Sequence, residues 1–320
     1  MAIAIALAAK VRPFTSPNPW VGCVIQAANE DIFGGATEPP GGRHAEIVAL
    51  HAAADAARGS TVYTTLEPCS HIGRTGPCAD ALIKAGVHRV VVGVLDPDVQ
   101  VAGRGLTRLR DAGIDVSLGV CAELVNEQLA PYLHHRRTGR PWVVLKLAST
   151  LDGRTAAADG SSQWITGAEA RRDAHRLRAE SDAILVGAGT VRADDPALTV
   201  RLDDGVNYRD PRRIVLGAAP PEAKVHPCLE WSGGLPDLLD RLGREGVVQL
   251  MVEGGARVAQ SFHESGLVNR YVLYLAPALL GDRGRSLLTG GGNSMADIWR
   301  GDIVDTRRVG SDLRVEVSSR

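Results

Sequence analysis

His44, Cys69 and Cys78 can supply one nitrogen and two thiolate ligands to a single Zn2+, leaving the fourth tetrahedral position open for water. An open position belongs to a catalytic zinc rather than a structural one. Glu46 stands two residues beyond the histidine, where a carboxylate can accept and return protons without binding the metal. Zinc lowers the pKa of its water to about 7. Hydroxide can then attack an electrophilic carbon at neutral pH while Glu46 moves protons to the leaving group. A cysteine pair alone would read equally well as two packed thiols. The glutamate decides for chemistry, since a structural site has no use for a carboxylate beside an open position.

The elements that must carry these residues are legible around them. Residues 45–57 are alanine-rich and helical, with Ile47, Leu50 and Ala54 on one face, which places Glu46 in the first turn and His44 at its start. Residues 61–66 form a β-branched strand that delivers Cys69 just past its C-terminal end. Pro77 suits the first turn of a helix running to Ala85 and stopped by Gly86. Cys78 therefore lies near a helix N-terminus, where the dipole favours thiolate. This order resembles the H-x-E…P-C-x-x-C signature of zinc deaminases, with one departure: eight residues, not two, separate Cys69 from Cys78. The added loop carries His71 and Arg74, and a guanidinium there suits an anionic, phosphorylated substrate.

Elsewhere in the first half, residues 2–12 read as a helix ended by Pro13, and Ser16-Pro17-Asn18-Pro19 as a rigid turn. Residues 20–25 lean to strand, and 34–42 are a loop dense in glycine and proline. Strands at 89–95 and 114–118 alternate with a helix at 106–112, which implies a layered α/β domain. Residues 121–133 look helical. The basic run 134–140 reads as a solvated linker rather than a phosphate site, and the domain boundary falls there, giving domains 1–138 and 139–320.

The second half restarts with a strand at 142–148. Helices at 167–180, 235–244 and 256–264 alternate with strands at 183–186, 213–216, 247–252 and 270–275. A glycine-rich loop spans most of 279–295, and a closing strand covers 313–317. This half is again α/β. Lys146-Leu147-Ala148-Ser149-Thr150-Leu151-Asp152-Gly153-Arg154 ends a strand in a polar turn. Val186-Gly187-Ala188-Gly189-Thr190 follows a strand with residues small enough for a ligand to approach the backbone. Val252-Glu253-Gly254-Gly255-Ala256-Arg257 is a strand–glycine–helix junction whose free N–H groups suit a phosphate. None of these is a G-x-G-x-x-G fingerprint. The residues alone therefore say only a phosphate- or nucleotide-binding α/β domain.

Composition sets the bounds. A chain of 320 residues exceeds most single cores, so two domains are expected. Net charge is −1 with no basic block, and aromatic residues make up 4%, which leaves little for stacking bases and argues against a nucleic-acid partner. Five cysteines are an odd number, a poor disulfide framework that better suits a reducing cytosol. No apolar run approaches the ~20 residues of a spanning helix, and the N-terminal apolar run precedes its positive charges, the reverse of a signal peptide. The expectation is a soluble, cytoplasmic protein without a membrane partner.

Ser16-Pro17-Asn18-Pro19, His44-Ala45-Glu46, Glu67-Pro68-Cys69-Ser70-His71…Pro77-Cys78 and Asp96-Pro97…Val101-Ala102-Gly103-Arg104-Gly105-Leu106 together resemble the bacterial bifunctional riboflavin-biosynthesis deaminase–reductases. In the second half Leu151-Asp152-Gly153-Arg154, Ser162-Gln163-Trp164-Ile165-Thr166, Arg176-Leu177-Arg178, Asp194-Asp195-Pro196-Ala197-Leu198-Thr199 and Val252-Glu253-Gly254-Gly255 extend the resemblance over nearly the whole chain. It implies an N-terminal cytidine-deaminase-like layered domain and a C-terminal dihydrofolate-reductase-like domain. The implied reactions are zinc-dependent deamination of 2,5-diamino-6-(5-phosphoribosylamino)pyrimidin-4(3H)-one and then NADPH reduction of the ribosyl to the ribityl side chain. The resemblance also implies substrate contacts from Asn18, His71 and Arg74 in the deaminase half. In the reductase half it implies an NADPH set of Ala148, Trp164, Thr190, Asp194 and the segment Gly255, Ala256 and Arg257. The matching substrate set is Ser162, Arg178, Leu198, Arg201 and Glu253.

Lys146, inside a strand, is the candidate for proton delivery, although positioning nicotinamide against the sugar carbon does most of the work. Ala218 stands where relatives often place a serine near the cofactor, which puts one NADPH contact in doubt, and the N-terminus is short for the family. A homo-oligomer is expected. Three rivals are weighed: a deaminase with a non-functional reductase-like domain, a nucleic-acid-editing deaminase, and a non-catalytic zinc-stabilised binding module. Ala148, Thr190 and Glu253 argue against the first, neutral charge against the second, and Glu46 against the third.

Overall fold

Alternating strands and helices build one large sheet in each of two units, and a two-stranded pair stands apart in the second. The computed structural model describes residues 1–70, 76–291 and 294–319, and the chain divides into two units, Met1–Gly139 and Arg140–Arg320. The first runs α1 (Ala2–Thr15), β1 (Gly22–Gln26), β2 (Ile32–Ala36), α2 (Ala45–Ala53), β3 (Thr61–Leu66), α3 (Cys78–Ala85), β4 (Arg89–Val94), α4 (Arg104–Asp111), β5 (Asp115–Leu118), α5 (Ala122–Gln128) and α6 (Ala130–Thr138). Its sheet has the order β2-β1-β3-β4-β5, with β1 antiparallel to both neighbours and β3, β4 and β5 parallel. The valine run of β4 is buried from Val90 to Val94, as expected of a parallel strand covered on both faces.

Four sequence expectations need correction here. α1 continues through Pro13 to Thr15; proline within one turn of a helix end forfeits a single hydrogen bond, too little to stop it. Residues 32–36, partly read as loop, form strand β2, paired with β1 from Gly22↔Ala36 to Gln26↔Ile32. The alanine-rich helix leaves α geometry at Ala54, whose φ is 46°, and finishes as a 3-10 turn. The basic run at 134–140 is not a linker. α6 carries it to Thr138, with Pro131, Tyr132, Leu133 and His135 buried on one side, so most of the run is a helix end whose other face holds the charges.

The second unit runs β6 (Trp142–Thr150), β7 (Arg154–Ala156), α7 (Ala168–Ala179), β8 (Ala183–Gly187), α8 (Ala188–Asp194), β9 (Arg212–Leu216), β10 (Leu229–Trp231), α9 (Leu235–Arg244), β11 (Gln249–Val252), α10 (Ala256–Glu264), β12 (Arg270–Ala276), β13 (Arg285–Ser286), β14 (Gly301–Val309) and β15 (Asp312–Ser319). Its eight-stranded sheet has the order β10-β9-β8-β11-β6-β12-β15-β14, parallel from β10 to β12 and antiparallel beyond, while β7 and β13 pair separately. Leu145, Leu185, Leu250 and Phe262 pack the core with Leu238, Leu239 and Leu242 of α9, the spacing of one apolar helix stripe.

Five elements here were not read from sequence: the short strands β7, β10 and β13, together with α8 and β14. α8 occupies the small-residue run after β8, and β14 is a polar edge strand. The strand expected from residue 247 begins at Gln249. The C-terminal ends of the parallel strands β8, β11 and β6 lie side by side, the position in an open α/β sheet where ligands bind. Among the described residues, no helix is long and apolar enough to cross a membrane.

Candidate active sites

In the first unit, three element ends deliver the metal-ligand candidates. His44 is the extended N-cap residue of α2, Cys69 follows β3, and Cys78 opens α3. His44 Nδ1 lies 3.6 Å from Cys69 Sγ and 3.3 Å from Cys78 Sγ, and the three ligand atoms fall within 4.8 Å of one another. Zinc at ordinary Zn–N and Zn–S distances and tetrahedral angles separates N from S by roughly 3.6 Å, so this donor set fits Zn2+. The Cys78 N–H also donates to Cys69 Sγ at 3.3 Å. Hydrogen bonding from Cys78, helped by His44, holds the Cys69 thiol well below its ordinary range, while the bond to Cys69 and burial push Cys78 up. The bond to Cys69 in turn raises His44.

Glu46 is 4% exposed in the first turn of α2. Burial, aided by the Cys69 thiolate, pushes its carboxyl up to about 7, where a group can take and give a proton near neutrality. A cavity of about 180 Å³ joins Glu46, His44 and Cys69 to Asn18, and its wall also includes Thr37, Asp96, Asp98, Tyr132 and Arg136. The geometry thus brings Asn18 to the metal candidates; His71 and Arg74 lie outside the described residues. The wall residues Asp96, Asp98, Tyr132 and Arg136 were given no role from sequence. The Tyr132 hydroxyl donates to the Asp96 carboxylate at 3.1 Å, and Arg136 Nε lies 3.7 Å from Asp98. Helical spacing of Tyr132 and Arg136 was the available signal, masked by reading the helix end as linker.

Glu67 explains why the two halves of the deaminase-like motif belong together. It is 3% exposed, and its carboxylate accepts the N–H groups of Gly103 and Gly105 at 2.9 Å and of Asp96 and Leu106 at 3.4 Å. α4 has no side-chain cap of its own, so this anion satisfies its orphan donors and complements the helix dipole. A Cβ at Gly105 would stand 2.0 Å from the Pro68 carbonyl oxygen. Glycine is required for that approach, which seats Pro68 and hence Cys69.

In the second unit, a cavity of about 620 Å³ is lined by Lys146, Trp164, His175, Arg178, Arg201, Glu253 and Tyr274, among others. Arg178 and Glu253 form its buried floor, their side chains 9% and 14% exposed. Arg178 Nη1 donates to the Thr199 carbonyl at 2.6 Å. Burial pushes the Glu253 carboxyl upward, but the charges of Arg178 and Lys146 outweigh it and leave it below the ordinary value. Lys146 Nζ sits 5.9 Å from the centre of the Tyr274 ring. Trp164 is 69% exposed, with the Arg171 guanidinium 4.4 Å over its ring, so it forms a lip rather than core.

Sequence reasoning missed His175. Its Nδ1 accepts the Arg201 N–H at 3.1 Å, so the proton of the neutral ring resides on the other nitrogen. Burial and the charges of Arg178 and Arg201 lower its pKa to about 4. A neutral N–H donor therefore faces a cationic pocket. Its only sequence signal was a position three residues before Arg178 on the same helix face.

The expected NADPH residues sit partly together. Thr190 Oγ1 lies 3.5 Å from where a Cβ of Gly255 would stand. Gly254 lets α10 begin against β11, since a Cβ there would come within 2.4 Å of Val258 Cβ. Gly255 caps α10 without a side-chain hydrogen bond, Ala256 opens the helix, and Arg257 is exposed on it. Ala148 pairs with Tyr274 across β6 and β12. Asp194 is exposed at the far end of α8, Ala218 is exposed after β9, and Leu198 is buried with φ 54°. Ser162, Leu198 and Asp194 do not line the large cavity.

Known proteins carry the same two parts. Residues 1–94 match the family described as the cytidine and deoxycytidylate deaminase zinc-binding region, and residues 141–315 match the RibD C-terminal domain. The riboflavin biosynthesis protein RibD of Escherichia coli is 42% identical, covering 98% of this chain and 96% of its own. That of Mycobacterium tuberculosis is 44% identical, covering 100% and 96%. Among solved structures, Acinetobacter baumannii RibD superposes with a TM-score of 0.93 at 37% identity, over 100% of this chain and 97% of its own. A Thermotoga maritima diaminohydroxyphosphoribosylaminopyrimidine deaminase/5-amino-6-(5-phosphoribosylamino)uracil reductase does so with a TM-score of 0.90 at 32% identity, over 100% and 97%. The first unit accordingly has the fold of the cytidine deaminases and the second the dihydrofolate-reductase-like fold. With relatives matched end to end and both site-bearing units present, the chain belongs to the RibD family of riboflavin-biosynthesis proteins.

Proposed function

We propose that residues 1–138 deaminate 2,5-diamino-6-(5-phosphoribosylamino)pyrimidin-4(3H)-one and that residues 139–320 reduce the ribosyl group of the product with NADPH. The observation that carries the reading is the convergence of His44, Cys69 and Cys78 beside a buried Glu46 that lines one cavity with His44 and Cys69, in a chain with a structural relative, that of Thermotoga maritima, whose name bears both activities. Zn2+ held by these three residues supplies an acidified water at neutral pH. Glu46 takes a proton at its carboxylate and returns it to the leaving amine, a cycle that a pKa near neutrality permits in both directions. Asn18 orients the pyrimidine, and His71 and Arg74, which lie outside the described residues, are assigned to the substrate by the family resemblance, Arg74 to its phosphate.

In the second unit, the N-terminus of α10 from Gly255 to Arg257, with Thr190 beside it, holds a phosphate of NADPH. Ala148, Trp164 and Asp194 complete the cofactor set. Arg178 spends both of its Glu253 bonds on Oε1, leaving Oε2 for a substrate hydroxyl. Arg201 and Lys146 give the cavity its affinity for an anion, and Lys146 is the proton donor to be tested. Ser162 and Leu198 belong to the same substrate set. The reading places the protein in the cytoplasm as a homo-oligomer, which the apolar residues exposed on β14, Ile303 and Val304, support.

The test separates the units. Glu46→Gln retains zinc and loses ammonia release, while NADPH oxidation on pre-deaminated substrate persists. Ammonia release at the normal rate would overturn the proton-shuttle role, and absence of NADPH oxidation in the parent protein would overturn the second activity.

A further inference from the structure

We infer that the second unit holds a second transition-metal site, formed by His226, Cys228 and Glu230 at the edge of the eight-stranded sheet. The three fall within five residues at the entry to β10, His226 just before a bend at Pro227, Cys228 immediately before the strand and Glu230 within it. One ligand atom from each lies within 4.8 Å of the others. His226 Nδ1 is 3.6 Å from Cys228 Sγ, the same separation as His44 Nδ1 from Cys69 Sγ, and the separation that tetrahedral zinc imposes on N and S.

Both outer ligands are already oriented by the chain that precedes them. His226 Nε2 lies 2.9 Å from the Pro220 carbonyl oxygen. Only an N–H can satisfy that contact, so Nε2 carries the proton and the Nδ1 lone pair faces Cys228. Glu230 Oε1 accepts the Ala219 N–H at 3.0 Å, which fixes the carboxylate and leaves its second oxygen for a cation. The nearby Arg213 guanidinium is paired with Asp210 at 3.3 Å and spends Nη1 on the His226 carbonyl. A nitrogen, a thiolate and a carboxylate select a borderline ion such as Zn2+ or Co2+ over Mg2+ or Ca2+, which take oxygen ligands. The three side chains are half-buried to exposed, so the ion enters from solvent and keeps water in the remaining position.

Such an ion would clamp the connection between β9 and β10 to the sheet edge, because its ligands are anchored on Ala219 and Pro220 of that connection. Binding to the folded state alone stabilises it. The competing explanation is a plain hydrogen bond from the Cys228 thiol to His226.

The experiment is a titration of the full-length, metal-stripped chain with Zn2+, followed by Co2+ to read thiolate charge-transfer absorption. Two equivalents bind to the parent protein and one to the His226→Asn/Cys228→Ala double variant. Ammonia release and NADPH oxidation by that variant both stay unchanged, which shows that the first site and the fold of the second unit survive. Glu230→Gln, the mildest change, weakens the second equivalent about tenfold or more without removing it. Equal stoichiometry and equal Co2+ absorption in the parent and double variant would overturn the site. A Cys69→Ser variant that loses one equivalent and keeps the other isolates the new site from the deaminase centre, so failure of either assignment is read separately.

Discussion

Both hydrogen bonds from the Arg178 guanidinium to Glu253 end on the same oxygen, Oε1, at 3.1 and 2.8 Å. A buried ion pair that engages one carboxylate oxygen couples the stability of its unit to its ligand site. Glu253→Ala leaves a guanidinium buried without its counter-charge, a loss of about 3–5 kcal/mol. Urea unfolding of the second unit should shift accordingly, and NADPH oxidation should fall while ammonia release holds. Unchanged reduction would remove Glu253 from the site.

His175 sets a pH dependence. Its pKa in the folded chain is about 4, against an ordinary 6.5. Between those values the unfolded chain binds the proton and the folded chain does not, so stability falls as pH drops from about 6.5 towards 4. His175→Gln keeps an N–H donor and removes the titration. Its melting temperature should therefore decline less than the parent's over that window. Parallel pH profiles would show that His175 does not contribute.

Glu67 holds Pro68 and Cys69 against the start of α4. Glu67→Ala strips four backbone N–H groups of one acceptor, a cost of about 3 kcal/mol. Zinc should escape to a chromophoric chelator faster in this variant, although Glu67 is not a ligand. Gly105→Ala should act in the same direction, by collision with the Pro68 carbonyl. A zinc release rate equal to the parent's in both variants would refute the coupling.

Gly254→Ala drives a methyl group into Val258. Overpacking of this kind costs about 1–3 kcal/mol, and the displaced element is the start of α10. NADPH affinity, followed by fluorescence of the reduced nicotinamide, should weaken roughly tenfold. Ammonia release should not change. Unaltered affinity would place the cofactor elsewhere.

The zinc constellation was readable from sequence because each ligand stands at an element end with its own local signal: His44 before an alanine-rich helix, Cys69 after a β-branched strand, Cys78 after a proline. The Arg178–Glu253 pair was readable only through family resemblance, since 75 residues separate the partners and neither has a local signature. β2 was half hidden because two of its five residues are glycine, a poor strand former whose place is secured here by pairing with β1. β14 was hidden because its residues are almost all exposed, so no apolar alternation marks it. The end of α6 was misread because five basic residues within 134–140 outweighed the buried positions Tyr132, Leu133 and His135. His175 acquires its character only from the arginines that the fold gathers around it.

The place of β6 in its sheet bears on how the chain is made. β6 is the first strand of its unit to be synthesised, yet it lies between β11 and β12. Its first partner begins at residue 249, while β6 begins at 142. At ~5–20 residues per second, the ribosome takes on the order of 5–20 s to supply that partner. Through that interval the apolar run Val143-Val144-Leu145 waits with both backbone edges unpaired, whereas the five-stranded sheet of the first unit already has every strand it needs. Nascent chains of this protein should therefore engage a chaperone most strongly when they end between residues 150 and 249, with the zinc-binding half already folded.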